Sequence, residues 1–464
     1  MTSIPITPDG TDVAILIEGG LLYGDDTRDV LIEGDRITAI GEPGSLDAPA
    51  DCTRLDAGGL VVLPGLVDLH THLREPGSES SETVRTGTQA AARGGFTTVF
   101  AMANTSPVQD TAGVVESVAA LGREAGYADV RPIGAVTVGL EGERLSQIGA
   151  MATSRARVRV FSDDGRCVFD PLIMRRALEY VKTFGGVVAQ HAQDPRLTPG
   201  AQMNEGALAA ELGLEGWPGV AETSIIARDV LLAEHVGSRL HVCHVSTRDS
   251  VDVVRWAKAR GIDVTAEVTP HHLLLTEELV RGFDARFKVN PPLRTEDDVH
   301  ALRDALADGT IDIVATDHAP HPVDAKDTEW DQAAMGMVGL ESALRVVHAT
   351  MVATGRLDWR GVARVLSETP ARIGLDDAAG RPIAVGELAN LAVYDPDDGG
   401  EFTTADLSGK SINSPFLGRQ LPGRVVHTVY RGGVTLVDGE LVDPSTAADR
   451  ARTRHAMHAR GVSA

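Results

Sequence analysis

Cysteine is scarce: three residues, Cys52, Cys167 and Cys243, odd in number and far apart in a chain of 464. That excludes a disulfide scaffold and fits a reducing, cytoplasmic setting. No uninterrupted apolar run approaches the ~18 residues of a membrane-spanning helix. Met1 to Asp12 has neither a basic n-region nor an apolar h-region, so no signal peptide is expected. Positive charge is in short supply, with 43 Lys and Arg against 66 Asp and Glu, a formal net charge of −23. Nucleic acid and anionic membrane both need basic patches, so neither is an expected partner. An anionic small molecule would need local positive charge within its own site. Lysine is absent altogether before Lys182. Short-period repeats and low-complexity segments are missing too.

What is present is an ordinary globular composition, 43% hydrophobic and 23% charged. The length exceeds the roughly 100–200 residues of a usual domain, and an α/β barrel alone takes about 250. Both ends read as short strands with glycine turns. At the start these are Val13–Glu18, Leu21–Tyr23, Asp29–Ile32 and Ile37–Ile40, with Gly19-Gly20 and Gly34 as punctuation. Towards the end they are Leu391–Tyr394, Val425–Arg431 and Val434–Val437. Residues 1–63 and 376–446 are therefore expected to form one small composite β domain, with 447–464 as an Ala- and Arg-rich tail.

Residues 64–375 alternate strand-like and helix-like runs. The strands are Val67–His72, Thr97–Asn104, Val130–Val136, Val158–Asp164, Val187–His191, Leu240–Val245, Asp263–Val268 and Asp312–Asp317. Helical spacing marks Val114–Ala125, Ile173–Phe184, Ile225–His235 and Ser250–Ala259. Eightfold strand–helix alternation predicts a (β/α)₈ barrel of the α/β class.

Barrel enzymes place their chemistry at the C-terminal ends of the strands. Here those ends carry His70 and His72, Asp163-Asp164, His191, His244 and Asp317. Any one of the histidines could be a satisfied core residue. A set of four imidazoles and two carboxylates at matching ends has no such account. Residues two apart on a strand face one way, so His70 and His72 converge. Imidazole and carboxylate suit Zn²⁺ or Mn²⁺. Six ligands are too many for one tetrahedral ion and suit a two-metal site with ions roughly 3.5–4 Å apart.

Four segments are specific. Asp68-Leu69-His70-Thr71-His72-Leu73-Arg74-Glu75-Pro76-Gly77 and Ala315-Thr316-Asp317-His318-Ala319-Pro320-His321 resemble the two signatures of bacterial dihydroorotases. Ala266-Glu267-Val268-Thr269-Pro270-His271-His272-Leu273 and Lys288-Val289-Asn290-Pro291-Pro292-Leu293-Arg294 are similar to the same family.

The resemblance, which runs from about Leu63 to Leu375, implies reversible cyclisation of N-carbamoyl-L-aspartate to dihydroorotate in pyrimidine biosynthesis. It implies two Zn²⁺ ions per chain: His70, His72 and Asp317 on the more buried one, His191 and His244 on the other, and Asp164 across both. Many relatives bridge the ions with a carboxylated lysine, which this chain cannot supply at its fourth strand. Asp164 is the substitute, in the branch with Asp-Asp-Gly there, and Asp163 is the competing assignment. A bridging hydroxide would attack the ring carbonyl, with Asp317 as base and then acid. His72, Arg74, Asn104, Asn290, His321, Met335 and Gly336 are implied to face the substrate. The alternative for Arg74 is a surface pair with Glu75 or Glu79, both expected on the loop surface. His271 and His272 are open between structural and functional roles, and His318 is expected to pack or hydrogen-bond behind the site. His235, His241, His300 and His348 are expected at the surface or in the core. A homodimer and an association with aspartate transcarbamoylase are compatible with the family. The rivals are a hydantoinase or allantoinase, and an inactive scaffolding subunit.

Overall fold

The computed structural model describes residues 14–444, so the segment Met1 to Asp12 and the tail lie outside the described residues. All eight strands expected in the middle of the chain are present, as Leu66–Thr71, Phe96–Ala101, Asp129–Pro132, Val160–Phe161, Val187–Gln190, Leu240–Val242, Val264–Val268 and Ile313–Val314. His70 lies within the first strand, whereas His72, Asp163, Asp164, His191, His244 and Asp317 sit on the loops just beyond their strands. The first three strands pair in parallel, as do the last five. Isolated parallel bridges link Gly134 with Phe161 and Thr71 with His318.

The helices between them follow their apolar spacing and are capped by short polar side chains. Val84–Arg93 starts at Thr83 and Glu296–Asp308 at Thr295, each with a reciprocal capping box. Pro171–Lys182 starts at Asp170, whose carboxylate accepts from the Leu172 and Ile173 amides. Val67, Leu69, Phe100, Ile133, Val160, Val187, Ala189 and Ile313 form one apolar cluster with Ala371 and Ile373, and the helices pack over a separate, larger one. This apolar layer lies beneath the polar strand ends and gives them a rigid base.

The two chain ends share one nine-stranded sheet. Its order is Glu440–Leu441, Gly433–Val437, Arg424–Tyr430, Leu391–Asp395, Val61–Pro64, Ile15–Leu22, Asp26–Glu33 and Arg36–Gly41, with Thr53–Asp56 beside Ile15–Leu22. Three of these strands, Thr53–Asp56, Val61–Pro64 and Glu440–Leu441, were not expected. Gly19-Gly20, read as a turn, instead lies inside a single strand: the pairing register shifts between Ile17 and Gly20, so the glycines form an irregularity and not an end. Gly19 has φ +66°, and a Cβ on Gly20 would lie 2.4 Å from Val62 Cγ2, which explains glycine at both positions.

Candidate active site

The site begins with a shift in the first strand. Its register against Phe96–Ala101 is irregular between Asp68 and Thr71. Val67 and Leu69 lie in the apolar layer below, and beyond the shift His70 and His72 come together with ring centroids 5.4 Å apart. Asp68 fastens this strand end to the eighth. Its carboxylate accepts from the Thr316 amide at 2.8 Å, the Thr316 hydroxyl at 2.5 Å and the Thr71 hydroxyl at 2.5 Å.

Asp164 lies at the centre. One carboxylate oxygen is 3.3 Å from His70 Nε2, 3.4 Å from His191 Nδ1 and 3.3 Å from His244 Nε2, and the other is 3.3 Å from His72 Nε2. Asp317 Oδ1 lies 3.2 Å from His72 Nε2 and 3.5 Å from His70 Nε2. The ligand-type atoms of His70, His72 and Asp164 form one compact group, and those of Asp164, His191 and His244 form a second. Asp163 turns away. Its carboxylate accepts from the Val136 and Thr137 amides at 2.8 and 3.0 Å and from the Thr137 hydroxyl. His244 (φ 31°), Asp317 (φ 47°) and Arg74 (φ 62°) all hold left-handed backbone, a strain that concentrates at functional sites.

These residues fit divalent cations. His70 Nε2 is buried without a hydrogen-bond partner, although it points among carboxylate oxygens. Three of the four imidazoles have their other ring nitrogen engaged: His70 Nδ1 by Glu267 at 2.6 Å, His72 Nδ1 by Asn104 Oδ1 at 2.8 Å and His191 Nε2 by Gln193 Oε1 at 2.8 Å. Each pairing fixes the tautomer whose free lone pair faces the centre. Burial is the largest single influence and pushes the carboxyls of Asp164, Asp317 and Glu267 up, yet the surrounding histidines, His70 foremost, together outweigh it and hold all three low, Asp317 at about 2. Three ionised carboxylates buried together demand cationic compensation.

Behind these side chains lies a polar layer that composition did not reveal. Glu267 Oε1 also accepts from the His244 amide at 3.2 Å, and Oε2 meets His241 Nε2 at 2.9 Å; His241 Nδ1 meets Thr265 Oγ1 at 2.8 Å. His241 is thus a core residue, as expected, but one that supports a carboxylate in contact with two of the site histidines. A glutamate within the buried strand Val264–Val268 was the available signal for this layer. His318 is fully buried and accepts from the Gly339 amide at 3.2 Å. His272 meets Thr269 Oγ1 at 2.8 Å and the Pro292 carbonyl at 3.2 Å, whereas His271 Nε2 is buried without a partner.

Arg74 is bonded to neither glutamate beside it. Its Nε donates to the Pro320 carbonyl at 3.1 Å, while Glu75 caps Val84 N at 2.8 Å and Glu79 accepts from Gly77 N at 2.7 Å. Burial lowers the guanidinium to about 10, against the pull of Asp317, Asp164 and Glu82. Among the described residues Arg74 has no ion pair. His321 Nε2 donates to the Met335 carbonyl at 2.9 Å, and a Cβ on Gly336 (φ +145°) would come within 2.7 Å of that nitrogen. Asn104 spends its oxygen on His72 and keeps its Nδ2. Asn290 spends its Nδ2 on Gln193 at 3.1 Å and keeps a buried, unpartnered Oδ1. No described helix is long and apolar enough to cross a membrane.

A family model described as "Dihydro-orotase-like" matches residues 59–250. Proteins named "Dihydroorotase" are similar over nearly the whole chain. That of Leifsonia xyli is 69% identical over 93% of this chain and 98% of its own length. That of Streptomyces coelicolor is 66% identical (92% and 99%), and that of Mycobacterium tuberculosis 53% (92% and 100%). Among solved structures, the L-hydantoinase (dihydropyrimidinase) of Arthrobacter aurescens has a TM-score of 0.82 at 25% identity over 92% of this chain and 97% of that one. The D-hydantoinase (dihydropyrimidinase) of a Thermus species has a TM-score of 0.77 at 26% identity, covering 92% and 96%.

Proposed function

The chain belongs to the dihydroorotase family, and from that premise we propose that the site interconverts N-carbamoyl-L-aspartate and dihydroorotate over two divalent ions, most suitably zinc. It is a metal-dependent cyclic amide hydrolase acting on a small molecule. The proposed architecture is a (β/α)₈ barrel of residues 64–375, with a β-sandwich built from 1–63 and 376–446 and a tail at 447–464.

His70, His72 and Asp317 would hold one ion, His191 and His244 the other, with Asp164 between. Such ions supply Lewis acidity, polarising the ring carbonyl and lowering the pKa of water. In the hydrolytic direction, Asp317 takes the proton of the attacking water and delivers it to the ring nitrogen as the carbon–nitrogen bond breaks. Cyclisation runs the same steps backwards. Arg74 binds the substrate carboxylate as a guanidinium fork, aided by the Asn104 amide. Asn290, facing inward with its oxygen, suits a ring N–H. His321, Met335 and Gly336 form the opposite wall.

The observation that carries this reading is the half-buried Arg74 guanidinium, which has no carboxylate partner among the described residues. Dihydroorotate brings a carboxylate; hydantoin and allantoin do not. The test is metal analysis combined with parallel assays on all three substrates. Strong preference for dihydroorotate is expected, and robust turnover of hydantoin or allantoin would transfer the assignment to those enzymes.

A further inference from the structure

The turn Ala285–Phe287 and the strap around Ala334–Gly336 meet beside the proposed substrate wall, joined by a cation that has no counter-charge. Lys326 ends the short helix Val323–Lys326 and is 9% exposed. Its Nζ donates to three backbone carbonyls: Ala285 at 2.9 Å, Lys288 at 3.0 Å and Ala334 at 2.7 Å. An ammonium has three N–H donors, so the group is saturated. Among the described residues it forms no ion pair. The carbonyl of Lys288 also accepts from the Gly336 amide at 3.0 Å, and the Ala334 amide donates to Ala325 at 2.9 Å. Asn290 follows two residues after Lys288, and Met335 and Gly336 directly follow Ala334. One buried side chain thus ties together the two segments that lead into three of the proposed substrate contacts.

We propose that Lys326 is a positioning residue for substrate binding, its ammonium fastening the 285–288 turn to the 334–336 strap and so fixing Asn290, Met335 and Gly336. This rests on the dihydroorotase reading, which gives those three residues to the substrate. Burial, reinforced by the neighbouring charge of Lys288 and opposed by Asp284, brings the Lys326 amine down to about 7. A neutral amine has only two N–H donors, so one of the three carbonyls loses its partner as pH rises through that value. The charged and titratable groups that act on or feel Lys326 are Lys288 and Asp284, at the two ends of the turn, and His321 on the loop before the helix. Arg286 is paired with Asp284 at 2.5 Å, and Lys288 Nζ donates to the Trp330 and Asp331 carbonyls. His321 is held down to about 3, by burial first and then by Arg74 and Lys326, so it stays neutral where Lys326 titrates.

The test uses the full-length, metal-loaded enzyme. Lys326→Met keeps an unbranched side chain one heavy atom shorter and removes its donors, and Lys326→Arg restores charge and donors. Lys326→Met should retain metal, raise KM for dihydroorotate about tenfold or more and lower kcat much less. Amide exchange at 285–288 and 334–336 should quicken, and Lys326→Arg should recover part of the loss. Wild-type KM should rise between about pH 6 and about pH 9, and Lys326→Met should lose that rise. Unchanged KM and protection in the variant, or metal loss alongside the KM effect, would overturn the assignment. If Lys326→Met does not fold, Lys326→Gln, which lacks the charge and the reach, is measured in the same way; wild-type KM and wild-type amide protection at both segments in that variant reject the proposal. A wild type that ignores dihydroorotate sinks the functional reading instead, and the exchange data still report whether Lys326 holds the two segments.

Discussion

The carboxylates of Asp163 and Asp164, neighbours in the chain, face opposite ways. Asp164 meets four imidazole nitrogens at 3.3–3.4 Å, and Asp163 accepts from two backbone amides and a hydroxyl on the neighbouring loop. The two substitutions should therefore fail differently. Asp164→Ala should lose at least one ion and nearly all turnover. Asp163→Ala should retain metal but lose about 1–3 kcal/mol of stability, because buried donors are left unpaired. Metal analysis and thermal melts of the two variants check this, and the reverse pattern would exchange their roles.

Asp317→Asn conserves size and removes the proposed base. The general acid–base contribution is about 10²–10⁴-fold, so kcat should fall by at least that range at saturating substrate. A metal-replete Asp317→Asn enzyme with near-normal turnover would rule out the proton transfer.

Arg74 concerns discrimination between substrates. Hydrogen bonds to charged groups contribute about 1.5–3 kcal/mol each, so Arg74→Ala should lower kcat/KM for dihydroorotate by about tenfold or more. Metal content should be unchanged and the preference over uncharged rings much reduced. Equal losses on charged and neutral rings would assign Arg74 to structure alone.

Glu267 touches His70 Nδ1 and is expected to act through it. Glu267→Gln keeps the shape but removes the charge that orients the imidazole, and partners of this kind typically change metal affinity by about 10–100-fold. Competition with a chelator should show that loss, with a smaller one for His241→Ala. Wild-type affinity in Glu267→Gln would mean that the carboxylate only fills space.

Much of this was legible in the sequence, because strand ends show where buried apolar runs stop. His70, His72, His191, His244, Asp164 and Asp317 each follow such a run, and the structure gathers all six. The choice between Asp163 and Asp164 needed coordinates, since both follow the same two-residue strand, Val160–Phe161. Glu267 was given no role and His241 only a place at the surface or in the core, because the contact that gives the pair its meaning is far away in sequence: Glu267 touches His70, 197 residues away. The bulge at Gly19-Gly20 was misread because glycine pairs mark turns and strand irregularities alike.

The shared sheet has a temporal consequence. Val61–Pro64 pairs on one side with Ile15–Leu22 and on the other with Leu391–Asp395. During synthesis the first sixty-odd residues therefore leave the ribosome with an open edge, and its partner emerges only after the whole middle of the chain. Closing so long a loop adds little free energy, because the cost grows only logarithmically with length; the burden is the waiting time, during which that edge can pair with other nascent chains. Protease pulses on stalled nascent chains should find Val61–Pro64 cleavable until Leu391–Asp395 is out. Clipping the protein at its beginning or near its end opens the same seam.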